Sequence, residues 1–188
     1  APRVESGPPE LLRREADLRH GDIMERAIFN GLFAAQSPDG RRIRYYTPFE
    51  GPRSYYEGDT YCCPNNYRRI IAELPSMIYY RTPRGVAINL YTASSATVPL
   101  DDGAKLAIRQ ETAYPASGTI TLHLDPDRPV RLALELRLPS WCAKPTATIN
   151  GESLLIPEGR TSLAIERQWK SGDRVTLDLP MPWRLVRG

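Results

Sequence analysis

Two of the three cysteines in this 188-residue sequence are adjacent, at Cys62 and Cys63. Neighbouring cysteines can pair with each other only through a strained disulfide, so the pair is more typical of metal ligands or of a reactive thiol than of a crosslink. The pair lies one to three residues ahead of a stretch with helical spacing, and the unpaired amides at the start of a helix favour a thiolate. The residues alone support a metal or catalytic role and a buried structural role about equally.

A metal site needs more ligands than this pair supplies, because zinc normally takes four, or three plus an exchangeable position. The other thiol and imidazole candidates are Cys142, His20 and His123, and none has a metal-ligand spacing to the pair. We predict that Cys142 is a structural thiol at the end of a strand. His123 alternates with Leu122 and Leu124, which predicts that it points to the outer face of a sheet.

A loop rich in Tyr, Arg, Gly and Pro, from Arg41 to Tyr61, leads into the cysteine pair. Loops of this length usually carry function or disorder. Glu57 and Asp59 could orient a substrate hydroxyl or a metal ligand, although solvated charges are the commoner case. The tyrosines suit stacking against sugar rings, and aromatic residues that cap a core at a domain junction would look the same. These tyrosines are Tyr45, Tyr46, Tyr55, Tyr56 and Tyr61.

Helical periodicity flanks this loop on both sides. It predicts a first helix from Ile23 to Phe33, with Asp22 as its N-cap. A second helix is predicted to begin at Asn65 or Asn66 and to break at Pro75. Within the loop, the run Ile43-Arg44-Tyr45-Tyr46 predicts a short strand.

From Gly85 onward the hydrophobic period changes to two. Roughly seven to nine short alternating stretches follow, separated by Gly, Pro and Asp turns and including the hairpin signal Asn150-Gly151. This pattern predicts an antiparallel β-sandwich. The fold class is therefore α+β and multidomain, with a helical part in residues 1–82 and the sandwich in residues 83–188. Two or three helices cannot close a helical domain, so we infer that this is a segment of a longer chain or that helices have been lost from its front.

Composition and charge exclude several classes of protein. The 25 basic and 22 acidic residues are interspersed, which argues against nucleic acid as a partner despite a net charge of +3. No apolar run approaches the roughly 20 residues that span a bilayer. The three cysteines lack the even number and regular spacing of a secreted, disulfide-linked protein, which favours a reducing, cytoplasmic compartment. A signal peptide that had been cleaved, or that lay upstream of Ala1, would give the same sequence.

Several motifs occur in a consistent order. The first half contains Asp17-Leu18-Arg19-His20-Gly21-Asp22-Ile23-Met24-Glu25-Arg26-Ala27, Ser37-Pro38-Asp39-Gly40, Tyr46-Thr47-Pro48 and Cys62-Cys63-Pro64-Asn65-Asn66, and the second half contains Leu136-Arg137-Leu138-Pro139-Ser140-Trp141 and Ile149-Asn150-Gly151-Glu152. Together they resemble glycoside hydrolase family 127, the β-L-arabinofuranosidases. The resemblance covers nearly all of the chain after about Glu15. It implies the terminal helices of an (α/α)6 barrel followed by an antiparallel β-sandwich.

The resemblance also implies a chemistry. In the family, a zinc ion in the complete enzyme is held by a Glu-x-Cys pair and by both cysteines of the Cys-Cys motif, so Cys62 and Cys63 become zinc ligands. Cys62 becomes the nucleophile of a retaining glycoside hydrolase that acts on terminal L-arabinofuranosides or related glycosides. Glu5-Ser6-Gly7 has Gly7 where the family has cysteine, and the catalytic acid has no counterpart.

We therefore expect this segment by itself to bind zinc weakly and to hydrolyse nothing. Carbohydrate is the expected partner, and homo-oligomerisation is left open. The alternative is a non-catalytic protein, in which a degenerate barrel remnant and a β-sandwich bind carbohydrate or serve a structural purpose.

Overall fold

A computed structural model describes residue 18 and residues 20–46, 50–58, 62–183 and 185. Helix α1 spans His20–Ala27 and continues as a π-helical segment over Ile28–Phe33. Helix α2 spans Cys62–Glu73, and a 3₁₀ turn over Leu74–Met77 follows it. Both predicted helices are present. Pro75 lies inside the 3₁₀ turn, as expected for a residue that cannot continue the α-helical hydrogen-bond ladder.

The helix starts differ from the predictions. Helix α1 begins before Ile23, and Asp22 is not its N-cap, because its carboxylate accepts hydrogen bonds from Arg137 and from the backbone N–H of Ser140. Helix α2 begins at Cys62 rather than at Asn65 or Asn66. The side-chain oxygens of those two asparagines accept hydrogen bonds from arginines one turn further along the helix instead of capping its start.

The short strand predicted at residues 43–46 is wrong. Ile43 forms only an isolated bridge with Gln36, which closes the turn over Ser37, Asp39 and Gly40. The aromatic side chains of this stretch favour a strand, but within the described part of the chain no strand lies beside it to pair with.

Ten strands follow among the described residues, and nine of them lie from Gly85 onward, in agreement with the seven to nine predicted for that stretch. They are β1 (Tyr79–Thr82), β2 (Gly85–Ile88), β3 (Ser94–Pro99), β4 (Lys105–Thr112), β5 (Thr119–Pro126), β6 (Val130–Arg137), β7 (Thr146–Ile149), β8 (Glu152–Leu154), β9 (Ser162–Trp169) and β10 (Asp173–Asp178). The predicted domain boundary coincides with the turn between β1 and β2, and it stays a prediction. Asn150 and Gly151 both have positive φ, at 52° and 90°, as a two-residue turn between β7 and β8 requires.

The strands form two sheets, with orders β1-β2-β6-β9 and β3-β4-β5-β10-β7-β8. The predicted sandwich is confirmed, with one addition, since β2 and β6 pair in parallel. Alternate residues of each strand face a shared core, which includes Leu106, Leu122, Leu134 and Trp169, all fully buried.

Helix α1 packs on the outer face of the first sheet. Val86 and Ile88 of β2 face the main core, whereas Ala87 faces the opposite way and joins Leu18, Met24 and Tyr80 in a second, smaller apolar cluster. Because successive side chains of β2 point to opposite faces of the sheet, this one strand contacts both the sandwich core and the helical part. Among the described residues, no helix is long and apolar enough to cross a membrane.

Candidate functional site

The cysteine pair occupies the first two positions of helix α2. Both thiols are exposed and reduced, and their sulfur atoms lie 3.8 Å apart. Amide N–H groups in the first turn of a helix have no partner within the helix, so they provide partial positive charge that stabilises a thiolate or an anion. The two thiols are therefore presented side by side at the electropositive end of the helix, rather than ahead of it as the sequence predicted.

The separation of the two sulfur atoms fits a shared zinc ion. Two thiolates at the usual Zn–S distance of about 2.3 Å and a tetrahedral angle stand about 3.8 Å apart. The pair of sulfur atoms at 3.8 Å therefore has the chemistry and the spacing of half of a tetrahedral zinc site.

The other half of such a site is not supplied by the described residues, among which no group of three or more His, Cys, Asp or Glu side chains could hold a metal. Glu5-Ser6-Gly7, the faint counterpart of the family's Glu-x-Cys, lies outside the described residues, as do Asp59 and Tyr61. The pair could hold zinc only with two further ligands from elsewhere.

Tyr45 connects the tyrosine-rich loop to the pair. Interaction of its hydroxyl with the Cys63 thiol, followed by the charges of Cys63 and Cys62, raises the pKa of Tyr45 to about 12. The ring centroid of Tyr45 lies 4.8 Å from that of Tyr46 and 5.0 Å from that of Tyr56. Tyr46 is 76% exposed, so this aromatic cluster offers a face to a ligand beside the thiols.

Hydrogen bonds to the end of the first helical segment hold the loop in place. The guanidinium of Arg44 donates to the carbonyl oxygen of Ala34 at 2.9 Å, and its backbone N–H donates to that of Ala35 at 2.7 Å. The backbone N–H of Tyr56 donates to the oxygen of Ile43 at 2.8 Å, which joins the two arms of the loop. These bonds fix the backbone of the two residues that precede Tyr45.

Glu57 has the solvated character that the sequence favoured. Its side chain is 81% exposed and pairs with the guanidinium of Arg42 at 3.0 Å. An exposed pair of this kind contributes little to stability.

The other candidate ligands lie apart from the pair. Cys142 is buried near the end of the sandwich, where desolvation raises the pKa of its thiol, which confirms the structural role predicted for it. His123 points outward from β5, as predicted, with its Nε2 2.8 Å from Glu111. Burial and the charges of Arg109 and Arg174 lower its pKa. His20 is the first residue of α1.

A buried polar cluster joins α1 to the sandwich. Its centre is Arg137 on β6, whose side chain is 0% exposed. The Arg137 guanidinium donates to Asp22 Oδ1 at 2.6 Å, to Glu25 Oε2 and to the carbonyl oxygen of Asn89 at 2.6 Å. The indole N–H of Trp141 donates to Glu25 Oε1 at 3.0 Å. Each of the three guanidinium nitrogens therefore donates to a partner, as burial requires.

The charges in this cluster stabilise one another. Burial alone would lower the pKa of Arg137, but the neighbouring Glu25, with Asp22, raises it above its usual value. Burial, reinforced by the charge of Glu25, raises the pKa of Tyr114, which hydrogen-bonds to the same carboxylate. Arg137 is thus a permanent buried cation between two carboxylates.

No pattern in the sequence indicates this cluster. Arg137 lies between Leu136 and Leu138 in an alternating strand, so its pattern predicts only that it points away from the core, and Glu25 has the spacing of any polar helix residue. More than 100 residues separate the partners along the chain. No local signal connects them.

Comparison with known proteins places both parts of the chain in one family. Residues 9–76 match the β-L-arabinofuranosidase GH127 catalytic domain, and residues 85–181 match the β-L-arabinofuranosidase GH127 middle domain. The chain is 26% identical over 202 residues to the non-reducing end β-L-arabinofuranosidase of Bifidobacterium longum subsp. longum, covering 95% of this chain and 30% of that protein.

Solved structures of the same family resemble this chain closely. A β-L-arabinofuranosidase of the same family from Geobacillus stearothermophilus T6 superposes with a TM-score of 0.85 and 32% identity, covering 93% of this chain and 30% of the other. A second β-arabinofuranosidase of the family gives a TM-score of 0.85 and 28% identity over the same shares of the two chains. The chain thus spans about a third of the length of these relatives. It belongs to glycoside hydrolase family 127, the β-L-arabinofuranosidases, as the end of the catalytic domain followed by the middle domain.

Proposed function

We propose that this chain supplies the nucleophile of a retaining glycoside hydrolase, and that Cys62 is that nucleophile. The observation that carries the proposal is the exposed thiol pair at the start of α2, inside the stretch that matches the catalytic domain. A thiol at a helix N-terminus is favoured as a thiolate, which is its nucleophilic form. The proposed substrates are terminal L-arabinofuranosides or related glycosides, as the names of the relatives suggest.

We also propose that Cys62 and Cys63 together ligate zinc in the complete enzyme. Their sulfur separation of 3.8 Å supports this assignment. When bound, zinc would keep both thiols deprotonated at neutral pH. The two remaining ligands and the general acid are not assigned to residues of this chain, so we expect the isolated chain to bind zinc weakly and to hydrolyse nothing.

The chemistry proposed for Cys62 is a double displacement. Its thiolate attacks the anomeric carbon and forms a carbon–sulfur bond, while the glycosidic carbon–oxygen bond breaks and the departing oxygen takes a proton from the general acid. A water molecule then attacks the same carbon, gives its proton to the general base, and releases the thiolate. Retention of configuration at the anomeric carbon follows from two inversions. Tyr45 and the neighbouring tyrosines contribute an aromatic face for the sugar.

The test is a cysteine series in protein that carries this chain together with a complete catalytic domain. We expect Cys62→Ser to abolish hydrolysis of an aryl L-arabinofuranoside. We expect Cys63→Ser to lower both the zinc content and the rate. Cys142→Ser is the matched control, because Cys142 is buried in the sandwich, and it should retain zinc and activity. The proposal is refuted if the unsubstituted protein contains no zinc and the Cys62→Ser variant hydrolyses the substrate at the same rate.

A second candidate is non-catalytic carbohydrate binding by the sandwich and the tyrosine cluster. The presence of only two zinc ligands among the described residues favours it for the isolated chain. Binding of arabino-oligosaccharides in isothermal calorimetry, with no turnover of any glycoside by protein carrying the complete catalytic domain, would support this candidate over the hydrolase. The cytoplasmic location and the oligomeric state stay predictions, and a reducing compartment would keep the exposed thiols reduced.

A further inference from the structure

A cavity lies between α2 and the turn that precedes the tyrosine-rich loop. Its volume is about 550 Å³, which falls within the range of about 300–1,000 Å³ for small-molecule sites. Three arginines line it, namely Arg41 and Arg42 directly after the turn and Arg68 on α2. Among the described residues that line the cavity, Glu57 is the only acidic one. The lining therefore carries a net positive charge.

Hydrogen bonds of the turn fix the backbone of Arg41 and Arg42. The backbone N–H of Arg42 donates to Ser37 Oγ at 2.9 Å, and the carbonyl oxygen of Arg42 accepts the backbone N–H of Ser37 at 2.8 Å. The backbone N–H of Arg41 donates to Asp39 Oδ1 at 3.1 Å. Side-chain oxygens that bind backbone amides two to five residues away stabilise a turn. The two exposed arginine side chains therefore start from a well-defined backbone.

Arg42 already binds a carboxylate at this cavity. Its guanidinium lies 3.0 Å from Glu57 Oε1, and the side chain of Glu57 is largely exposed. An exposed ion pair is weak, so a carboxylate on a ligand can take the place of Glu57. The first turn of α2 adds to the attraction, because Pro64 lines the cavity and the start of a helix carries partial positive charge.

The rest of the lining suits a sugar better than a simple anion. Tyr56 and Tyr67 place aromatic rings at the cavity, and Gln36 places an amide there. The hydroxyl of Tyr67 is buried and has no hydrogen-bond partner among the described residues. Because a buried polar group normally has a partner, this hydroxyl is available to a ligand in the cavity.

We propose that this cavity binds a uronate, an acidic sugar whose carboxylate is held by Arg41 and Arg42. The planar guanidinium group matches the geometry of a carboxylate. The site adjoins the cysteine pair, because Pro64 lines the cavity and directly follows Cys63. The inference deepens the proposed function, on which it rests, by naming glycans that contain a uronate as substrates. Its test measures binding rather than hydrolysis, so the two proposals can fail separately.

The test is a titration of the isotope-labelled 188-residue chain with D-galacturonate and with D-galactose, followed by NMR spectroscopy. The two sugars differ only in the carboxylate of galacturonate. We expect galacturonate to bind about ten-fold more tightly, as for a hydrogen bond to a charged group. It should shift the amide signals of Gly40, Gly58 and Ala72, which line the cavity, and leave those of β4 and β5 in place. Equal binding of the two sugars, or shifts confined to other regions, would overturn the proposal.

Substitution of the two arginines tests their role. Arg41→Gln and Arg42→Gln should each weaken galacturonate binding about three- to ten-fold and leave galactose binding unchanged. Both side chains are exposed, so the fold should survive either change. Arg131→Gln is the matched control, because Arg131 is also exposed and pairs with a surface glutamate, but lies on β6. Galacturonate affinities that are the same in Arg42→Gln and Arg131→Gln would contradict the assignment.

Glu57→Gln should have the opposite effect. It removes the carboxylate that competes for Arg42, so galacturonate binding should become about two- to five-fold tighter. Weaker binding in this variant would count against the proposed position of the carboxylate. Tyr67→Phe removes the unpartnered hydroxyl and should weaken galacturonate binding about two- to ten-fold.

Sodium acetate separates a sugar site from a site for any anion. Acetate should not displace galacturonate at equal concentration, because it makes no contact with the aromatic rings or with Gln36. Displacement at equal concentration would identify a site for simple anions and overturn the assignment to a sugar.

Discussion

Strand β6 buries six of its eight residues, whereas helix α2 buries only Pro64 among its twelve. The sandwich contacts itself on one face and α1 on the other, so both faces of β6 lie against protein. Ile70 and Ile71 of α2, and Leu74 in the 3₁₀ turn that follows it, are only half-buried among the described residues.

This difference shows that the two parts of the chain are stabilised by different means. The sandwich has a continuous apolar core of its own, which includes Trp169 and the leucines of β6. The helical part has a small apolar cluster around Met24 and depends on the charged contacts of Arg137. Directional polar contacts position a helix more narrowly than a few apolar contacts do, which suits a segment that presents reactive thiols.

The largest expected effect concerns the cluster. Glu25→Ala leaves the buried guanidinium of Arg137 with only Asp22 as a charged partner, and removing one partner of a buried ion pair costs about 3–5 kcal/mol. Urea unfolding followed by circular dichroism measures the loss. Glu166→Ala, which breaks an exposed pair with Arg131, should cost less than about 1 kcal/mol. Similar losses for the two variants would remove the distinction between the two kinds of contact.

The apolar face of β6 should contribute more to stability than the apolar face of α2. Leu134→Ala removes a fully buried side chain from β6 and should lower the free energy of unfolding by about 2–5 kcal/mol. Ile70→Ala removes a half-buried side chain from α2 and should cost clearly less. Thermal and urea unfolding of the two variants provide the measurement. An equal or greater loss for Ile70→Ala would show that α2 is as tightly packed as the sandwich.

Two glycines in the helical part test how closely α1 rests on the sandwich. Gly21→Ala forces a Cβ into Asn89 and Arg137 and should destabilise the chain by about 1–3 kcal/mol. At Gly31, in the π-helical segment, a Cβ meets nothing within 4 Å, so Gly31→Ala should stabilise the chain by up to about 1 kcal/mol. Calorimetric melting temperatures should therefore shift in opposite directions, and a loss of stability in both variants would contradict the close contact.

The smallest expected effect is a dependence on pH within the sandwich. Burial raises the pKa of Asp173, but hydrogen bonds from Asn150 and from the backbone N–H of Lys170 outweigh it and hold the pKa below 3.8. The folded protein thus binds this proton less readily than the unfolded chain. The resulting stabilisation is present above about pH 3.9 and is lost as the pH falls through the lowered pKa.

Asp173→Asn should accordingly make the stability of the chain less dependent on pH between about pH 4 and pH 2. Asp127→Asn, at an exposed position, is the matched control and should leave this dependence unchanged. Urea unfolding at a series of acidic pH values gives the slope. A slope that is the same in both variants would show that Asp173 does not contribute to the acid sensitivity.

Much of the fold could be predicted because its signals are local. The alternation along β6 and β10 predicts strands, and the turn at Asn150-Gly151 predicts a hairpin, since each depends on neighbouring residues alone. The predicted start of α2 is three or four residues too late because the asparagines resemble caps, whereas their side chains accept hydrogen bonds from arginines of the same helix. The prediction of a strand at residues 43–46 is wrong because a strand needs a neighbouring strand to pair with, and local propensity does not depend on whether one is present.

The candidate site was predictable to a different extent. The adjacent cysteines, their place near a helix start and the tyrosines before them were visible in the sequence. The contact of Tyr45 with Cys63 and the 3.8 Å between the two sulfurs were not, because they depend on how the loop folds back onto the helix.

The sequence by itself determined that this chain contains helices followed by a β-sandwich, with two thiols next to the start of the second helix, because hydrophobic period and turn residues act over a few positions. Only the tertiary structure decided that β2 and β6 pair in parallel and that Arg137 joins Asp22 and Glu25 across more than 100 residues. The physical reason is burial. A charged side chain has the same sequence pattern whether it faces water or protein, and only the packed sheet and helix leave Arg137 with no water to solvate it.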